Sequence, residues 1–246
     1  WDYFIMKDGI ANQLSANISL TRSTVDQPFF PRSGSEFSVE LDITPPYSAW
    51  DGKDYSDKKM PDQQRYRWIE YHRWQFKARW FAPLSRNNNL VLMAKAEMGY
   101  LGHYNKYKTS PFERFEIGGD GMSGYSSTYA TETVALRGYS NGSLTPTYED
   151  GGQAGNIYTR FSLELRYPIL MKETTMIWVL GFAEAGNCWR DYQDFNPIDL
   201  KRSAGVGLRV FMPMFGLLGV DWAYGFDKVN GQVSGSQFHF VIGQEF

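Results

Sequence analysis

Apolar and polar residues alternate one by one along much of this chain, and a period of two confines those stretches to β-strands, whose side chains point to opposite faces in turn. Nine segments read as strands, and most alternate cleanly. Leu14, Ala16, Ile18 and Leu20 interleave with Ser15, Asn17, Ser19 and Thr21, and Phe37, Val39, Leu41 and Ile43 with Glu36, Ser38, Glu40 and Asp42. Between about 66 and 82, Trp74, Phe76, Ala78 and Trp80 oppose Arg73, Gln75, Lys77 and Arg79. A strand at about 89 to 102 follows, and after a long break Phe161, Leu163, Leu165 and Tyr167 oppose Arg160, Ser162, Glu164 and Arg166. The segment from about 175 to 186 is apolar on both faces until Glu184. Two more strands centre on Val206 and Val220, and the last is "FHFVIGQEF", with Phe238, Phe240, Ile242, Gln244 and Phe246 on one face.

Alternation alone also suits a soluble sandwich with one wet face. The connections decide between them, because they run short, long, short, very long, short, long, short, medium: "FFPRSG" is followed by about 45 to 65, "PLSRNN" by about 103 to 155, "PILMKET" by about 187 to 201, and "PMFG" by about 227 to 235. Outer-membrane barrels have short periplasmic turns and long external loops. Strands that finish in aromatics, such as Trp80 or Trp222, Tyr224 and Phe226, supply the interfacial girdle of such a barrel. The predicted fold class is therefore all-β, a transmembrane antiparallel β-barrel.

Composition agrees without deciding. No run of about 18 apolar residues is present, which excludes a transmembrane helix, while a mean hydropathy of −0.45 fits barrel strands, in which every second residue is polar. With a net charge of −2 and no basic stripe, no nucleic-acid partner is expected. The single cysteine, Cys188, permits no internal disulfide. A start at Trp1, with no initiator methionine or signal peptide, reads as a mature or truncated piece. Nine is an odd number, and an unpaired edge in lipid leaves backbone groups unsatisfied. The expectation is the last part of a larger barrel.

Little supports an enzyme, a cofactor or a metal. His72, His103 and His239 lie far apart without ligand spacing. "GDGMSG", Gly119 to Gly124, matches a nucleotide fingerprint literally, but no helical pattern follows to hold a pyrophosphate. Glu164 and Glu184 as a glycosidase pair would have a nearby arginine keeping both ionised. A passive porin would be plugged by the glycine-rich connection.

That connection carries "LRGY", Leu136 to Tyr139, ahead of two strands with the inward glutamates Glu164 and Glu184. Folded into the lumen, Arg137 meets them and pins the loop, a contact worth roughly 4 kcal/mol at about 4 Å before desolvation. Otherwise Arg137 is a solvated loop residue and the glutamates are lumen lining.

"FFPRSG", "ERFEIGGDGMSGY", "LRGY", "FAEAG" (Phe182 to Gly186), "RSAGVGLRVFMP" and "FHFVIGQEF" together resemble, in order and spacing, the C-terminal barrel region of the BamA family of outer-membrane protein assembly factors. The wider insertase superfamily includes the two-partner secretion transporters and the mitochondrial sorting and assembly barrel. The resemblance implies a sixteen-stranded barrel in the bacterial outer membrane, of which residues 1–246 are strands eight to sixteen, beginning in loop four. Residues 103 to 155 become loop six, with Arg137, Gly138, Tyr139, Glu164 and Glu184 as its lumen anchor. Residues 238 to 246 become the terminal strand and β-signal, with Phe238, Phe240, Ile242, Gly243 and Phe246 at the lateral seam. The implied function is insertion of outer-membrane proteins by strand templating at that seam, without cofactor. Implied partners are nascent outer-membrane β-barrel proteins, accessory assembly lipoproteins, periplasmic chaperones, outer-membrane lipid and lipopolysaccharide. Leucine before Arg137, tyrosine after Gly138, and Glu184 where the family has aspartate depart from its pattern. A polypeptide-secretion pore of the same superfamily is the alternative.

Overall fold

The computed structural model describes residues 9–87, 89–121, 132–147, 155–229 and 231–243. Its strands are β1 (Ala16–Ser23), β2 (Gly34–Ile43), β3 (His72–Pro83), β4 (Val91–Gly102), β5 (Phe115–Ile117), β6 (Glu132–Val134), β7 (Ile157–Lys172), β8 (Thr175–Trp189), β9 (Lys201–Met212), β10 (Gly216–Val229) and β11 (Gln232–Ile242). Nine of them form one sheet in the order β1-β2-β3-β4-β7-β8-β9-β10-β11, and β5 and β6 form a separate pair. Neighbours in the large sheet are antiparallel throughout, as chain-order hairpins require, whereas β5 and β6 run parallel inside the connection from β4 to β7. Strands β1 and β11 share no ladder, so this sheet is a barrel wall that is not closed on itself. Among the described residues, no helix is long and apolar enough to cross a membrane.

The wall is inside out by the standard of a soluble protein. On β7, Phe161, Leu163 and Leu165 are 47%, 52% and 42% exposed, while Arg160, Glu164 and Arg166 between and beside them are buried. The same inversion holds on β11, where Phe238, Phe240 and Ile242 face out and His239 and Val241 face in. A sandwich buries its apolar face against a second sheet. Here that face is bare and the polar face is covered, the arrangement of a barrel whose apolar band meets lipid. Trp74, Trp80, Tyr167, Trp222, Tyr224 and Phe226 stand exposed along it as girdle aromatics. Substituting Leu163→Arg on this face is expected to destabilise the barrel in liposomes by about 2–4 kcal/mol near the bilayer midplane. An unchanged urea unfolding midpoint would mean that Leu163 does not face lipid.

Several boundaries differ from those read off the sequence. Strand β3 begins at His72, not near 66, because Asp62–Arg65 forms a helical turn after Pro61 and the chain then tucks Ile69 and Tyr71 inward. The connection expected at 227 to 235 is a tight hairpin instead: β10 and β11 stay paired out to Val229↔Gln232, so the terminal strand starts six residues before Phe238.

Among the described residues, the two largest apolar clusters lie at opposite ends of the covered side. At the short-turn end, Phe30 packs edge-on against Trp178 with ring centroids 5.6 Å apart, and Phe29 stacks on Phe211 at 4.0 Å. The β1–β2 turn therefore reaches β8 and β9, which requires a strongly curled sheet. At the other end, Phe115, Ile117, Val134, Leu136, Tyr139 and Leu144 of the long connection pack against Tyr71, Leu101 and Tyr158 of the wall.

Candidate functional site

The apolar residues of the long connection carry it into the lumen and place Arg137 against β7, β8 and β10. The short parallel pair of β5 and β6 sets the path, and Gly119 N–H then donates to Leu136 O at 3.2 Å. Leu136 is fully buried, so the chain enters the wall at the next residue. Arg137 is itself fully buried, and its Nη2 donates to Glu164 Oε1 at 2.6 Å and to Glu184 Oε1 at 2.7 Å. Its Nη1 lies 3.3 Å from Asp221 Oδ2, and its backbone N–H donates to Glu184 Oε2 at 2.9 Å. The guanidinium also stacks over Phe182, 3.5 Å from the ring centroid, a cation–π contact strengthened by the exclusion of water.

Each carboxylate in this cluster has a wall cation as well. Arg166 pairs with Glu164, Arg160 bridges Glu184 and Glu97, Arg209 forms a double hydrogen bond with Asp221, and Lys95 pairs with Glu97. Glu97, Glu164, Glu184 and Asp221 are thus balanced by Lys95, Arg160, Arg166 and Arg209 before Arg137 is counted. Charges buried this deeply persist only when paired and hydrogen-bonded.

The next two residues complete the motif. Gly138 has φ of +89°, and its N–H donates to His239 Nε2 on β11 at 2.9 Å. The Tyr139 hydroxyl donates to Arg202 O at 2.7 Å and accepts from Asp227 N–H at 3.4 Å. Burial pushes that hydroxyl up to about 12, so it keeps its proton at physiological pH.

A fold of this kind has known relatives, and the Omp85 superfamily domain matches residues 5–246. The chain belongs to the Omp85 superfamily. A solved structure similar to this Omp85 chain is the crystal structure of BamA from Haemophilus ducreyi lacking POTRA domains 1-3, at a TM-score of 0.63 and 20% identity. The alignment covers 92% of this chain and 41% of that one, so the chain spans about two fifths of the relative's length. At that identity the likeness concerns the fold.

Within this Omp85 chain, the structure brings together Arg137, Gly138, Tyr139, Glu164 and Glu184, with both glutamates on the same guanidinium. The terminal-strand residues stand apart from that cluster. Phe238, Phe240 and Ile242 lie on the outer face, and Gly243 ends the strand with φ of +76° and its N–H bonded to Leu217 O at 2.7 Å. Phe246 lies outside the described residues. Asp221, Arg160, Arg166, Arg209 and His239 also build the site, though sequence reasoning did not single them out for it. Their signal was present in the polar faces of the alternating strands. What was missing was the register that sets Asp221 opposite His239 on one side and Gly207 on the other.

Proposed function

We propose that residues 1–246 form the C-terminal part of a larger outer-membrane barrel that folds and inserts other outer-membrane β-barrel proteins, templating their strands at a lateral seam of which β11 is one lip. The observation that carries this is the state of β11. It is the last strand of the sheet, paired with β10, and its inner face is bonded through His239 to the buried motif, which ties this strand to the docked loop. At a seam in the complete barrel, the edge of such a strand is a template for a further strand, supplied by main-chain hydrogen bonds without covalent chemistry. Omp85 membership supports an insertase or secretion role, and the loop packed over the inner face favours work at the seam over passage through the lumen. On this reading Arg137, Gly138, Tyr139, Glu164 and Glu184 anchor the lumen loop, and Phe238, Phe240, Ile242, Gly243 and Phe246 form the seam and β-signal. Nascent barrel proteins are the clients, outer-membrane lipid and lipopolysaccharide meet the apolar face, and accessory lipoproteins and periplasmic chaperones act with parts of the protein beyond this chain.

The test is reconstitution of the complete protein in liposomes with an unfolded outer-membrane protein, following protease-protected client. Acceleration over empty liposomes, abolished by cross-linking β11 to the barrel's first strand, is expected. Polypeptide delivered into the liposome interior without insertion would instead identify the secretion pore. Gly243→Val refines the test. Among the described residues nothing lies within 4 Å of a Cβ added there, so within this chain the substitution strains a left-handed backbone, by about 1–3 kcal/mol. Client insertion is expected to slow several-fold, and an unchanged rate would remove Gly243 from the seam.

A further inference from the structure

The long connection is tied to the wall a second time, on β3, with the charges reversed. Arg73 is held from behind by Asp42 of β2, to whose Oδ2 its Nε and Nη2 donate at 3.2 and 2.9 Å. Its Nη1 then lies 3.0 Å from Glu113 and 3.6 Å from Glu132. Lys77 adds a contact to Glu132 at 3.6 Å, and the Gln75 amide donates to the same carboxylate. Glu113 precedes β5 and Glu132 opens β6, so one guanidinium grips both ends of the glycine-rich segment between them. Among the described residues Glu113 is the non-glycine residue with positive φ, at 62°. Such a conformation persists only where surrounding contacts impose it, and Arg73 is the contact at its carboxylate.

The other end of the connection is fastened to β7, β8 and β10 through Arg137 and to β11 through Gly138. In the sheet, β3 and β11 are separated by β4, β7, β8, β9 and β10. We propose that the connection is a tie rod across the inner face, that Arg73 is its second clamp, and that this clamp positions the terminal strand by fixing the chord between β3 and β11. The consequence for client insertion rests on the insertase reading; the geometry of the clamp does not. The two clamps also differ in exposure. The side chains of Arg73, Glu113 and Glu132 are 16%, 21% and 27% exposed, against 0% for Arg137 and Glu184, so salt reaches the β3 clamp first.

The experiment uses the complete protein in liposomes, with buried Cys188 left in place and nitroxide pairs introduced by Lys58→Cys with Asp120→Cys, and by Lys58→Cys with Gln232→Cys. Arg73→Glu is expected to lengthen and broaden both distance distributions and to slow client insertion several-fold. Glu113→Gln with Glu132→Gln is expected to broaden both distances as Arg73→Gln does, and adding Arg73→Gln to that pair is expected to change distances and insertion little further, the non-additivity that a shared clamp requires. Salt at ~1 M, where the Debye length is about 3 Å, is expected to broaden the first distance in the unaltered protein while the Arg137 cluster holds. Where Arg73→Glu does not insert into the membrane, Arg73→Gln compared at low and high salt carries the same test. Unchanged distances in a folded Arg73 variant, or effects of the Arg73 and the Glu113 with Glu132 substitutions that simply add, would overturn the clamp. Absence of client insertion in the unaltered protein would sink the insertase reading and leave the clamp to be judged by the distances.

Discussion

Arg137→Ala is expected to release the lumen loop while leaving the wall folded, with a loss of several kcal/mol, since each hydrogen bond to a charged group contributes about 1.5–3 kcal/mol. The wall survives because its carboxylates keep their own partners: Glu164 retains Arg166, Glu184 retains Arg160, and Asp221 retains Arg209. The guanidinium is the member whose loss leaves no uncompensated wall charge. The loop, by contrast, loses three charge-assisted hydrogen bonds and a stacked ring at one stroke. Arg137→Lys is expected to recover little, since a single ammonium cannot present a planar fork to three carboxylates while stacking on Phe182. The measurement is the temperature at which the barrel loses its heat-modifiable gel migration, together with protease cleavage within residues 103 to 155. A variant that keeps both the migration and the protection of the unaltered protein would show that Arg137 does not hold the loop.

Gly138→Ala is expected to undock the same motif without altering any charge. A Cβ at Gly138 would sit 2.9 Å from Ser203 Cβ, 3.0 Å from Gly225 N and 3.1 Å from Tyr224 C. Two of those atoms belong to the backbone of β10, which is held by ladders on both sides and cannot retreat. Overpacking of this kind destabilises by roughly 1–3 kcal/mol, and the left-handed backbone adds ~1–2 kcal/mol for any side chain. The hydrogen bond to His239 is then stretched, so β11 loses its tie to the lumen along with the loop. Cleavage of the loop comparable to that in Arg137→Ala is the expected result. Full protection would mean that β10 yields locally and the motif tolerates a methyl group.

The faces of the strands were legible because each residue's side is fixed by its neighbours two positions away, and the barrel class followed once connection lengths were sorted by end. The wall cluster was half legible. Glu164 stands on the polar face of an alternating strand and Glu184 interrupts a segment that is otherwise apolar on both faces, but the part of Asp221 depends on hairpin register, which periodicity does not encode. The stretch from 227 to 235 misled for a physical reason. Asp227, Lys228, Asn230, Gly231, Gln232, Ser234 and Gly235 leave only Val229 and Val233 apolar in that stretch, so the hydrophobic alternation fades although the backbone ladder persists to Val229↔Gln232. The parallel pairing of β5 with β6 left no periodic trace either, since each strand is three residues long and they are joined through a glycine-rich segment.

The Gly138–His239 bond joins residues 101 positions apart, and the acceptor is delivered by the last strand of the sheet. Contacts of such long range must overcome loop-closure entropy before they contribute, and they form late. The paired charges on β4, β7, β8, β9 and β10 can assemble as each hairpin zips onto the one before it, with no help from the loop. The loop's motif cannot be completed until β11 is in register. Seating of the loop is therefore expected to follow the pairing of β11 with β10, which makes it a kinetic marker that the last strand of this sheet has arrived.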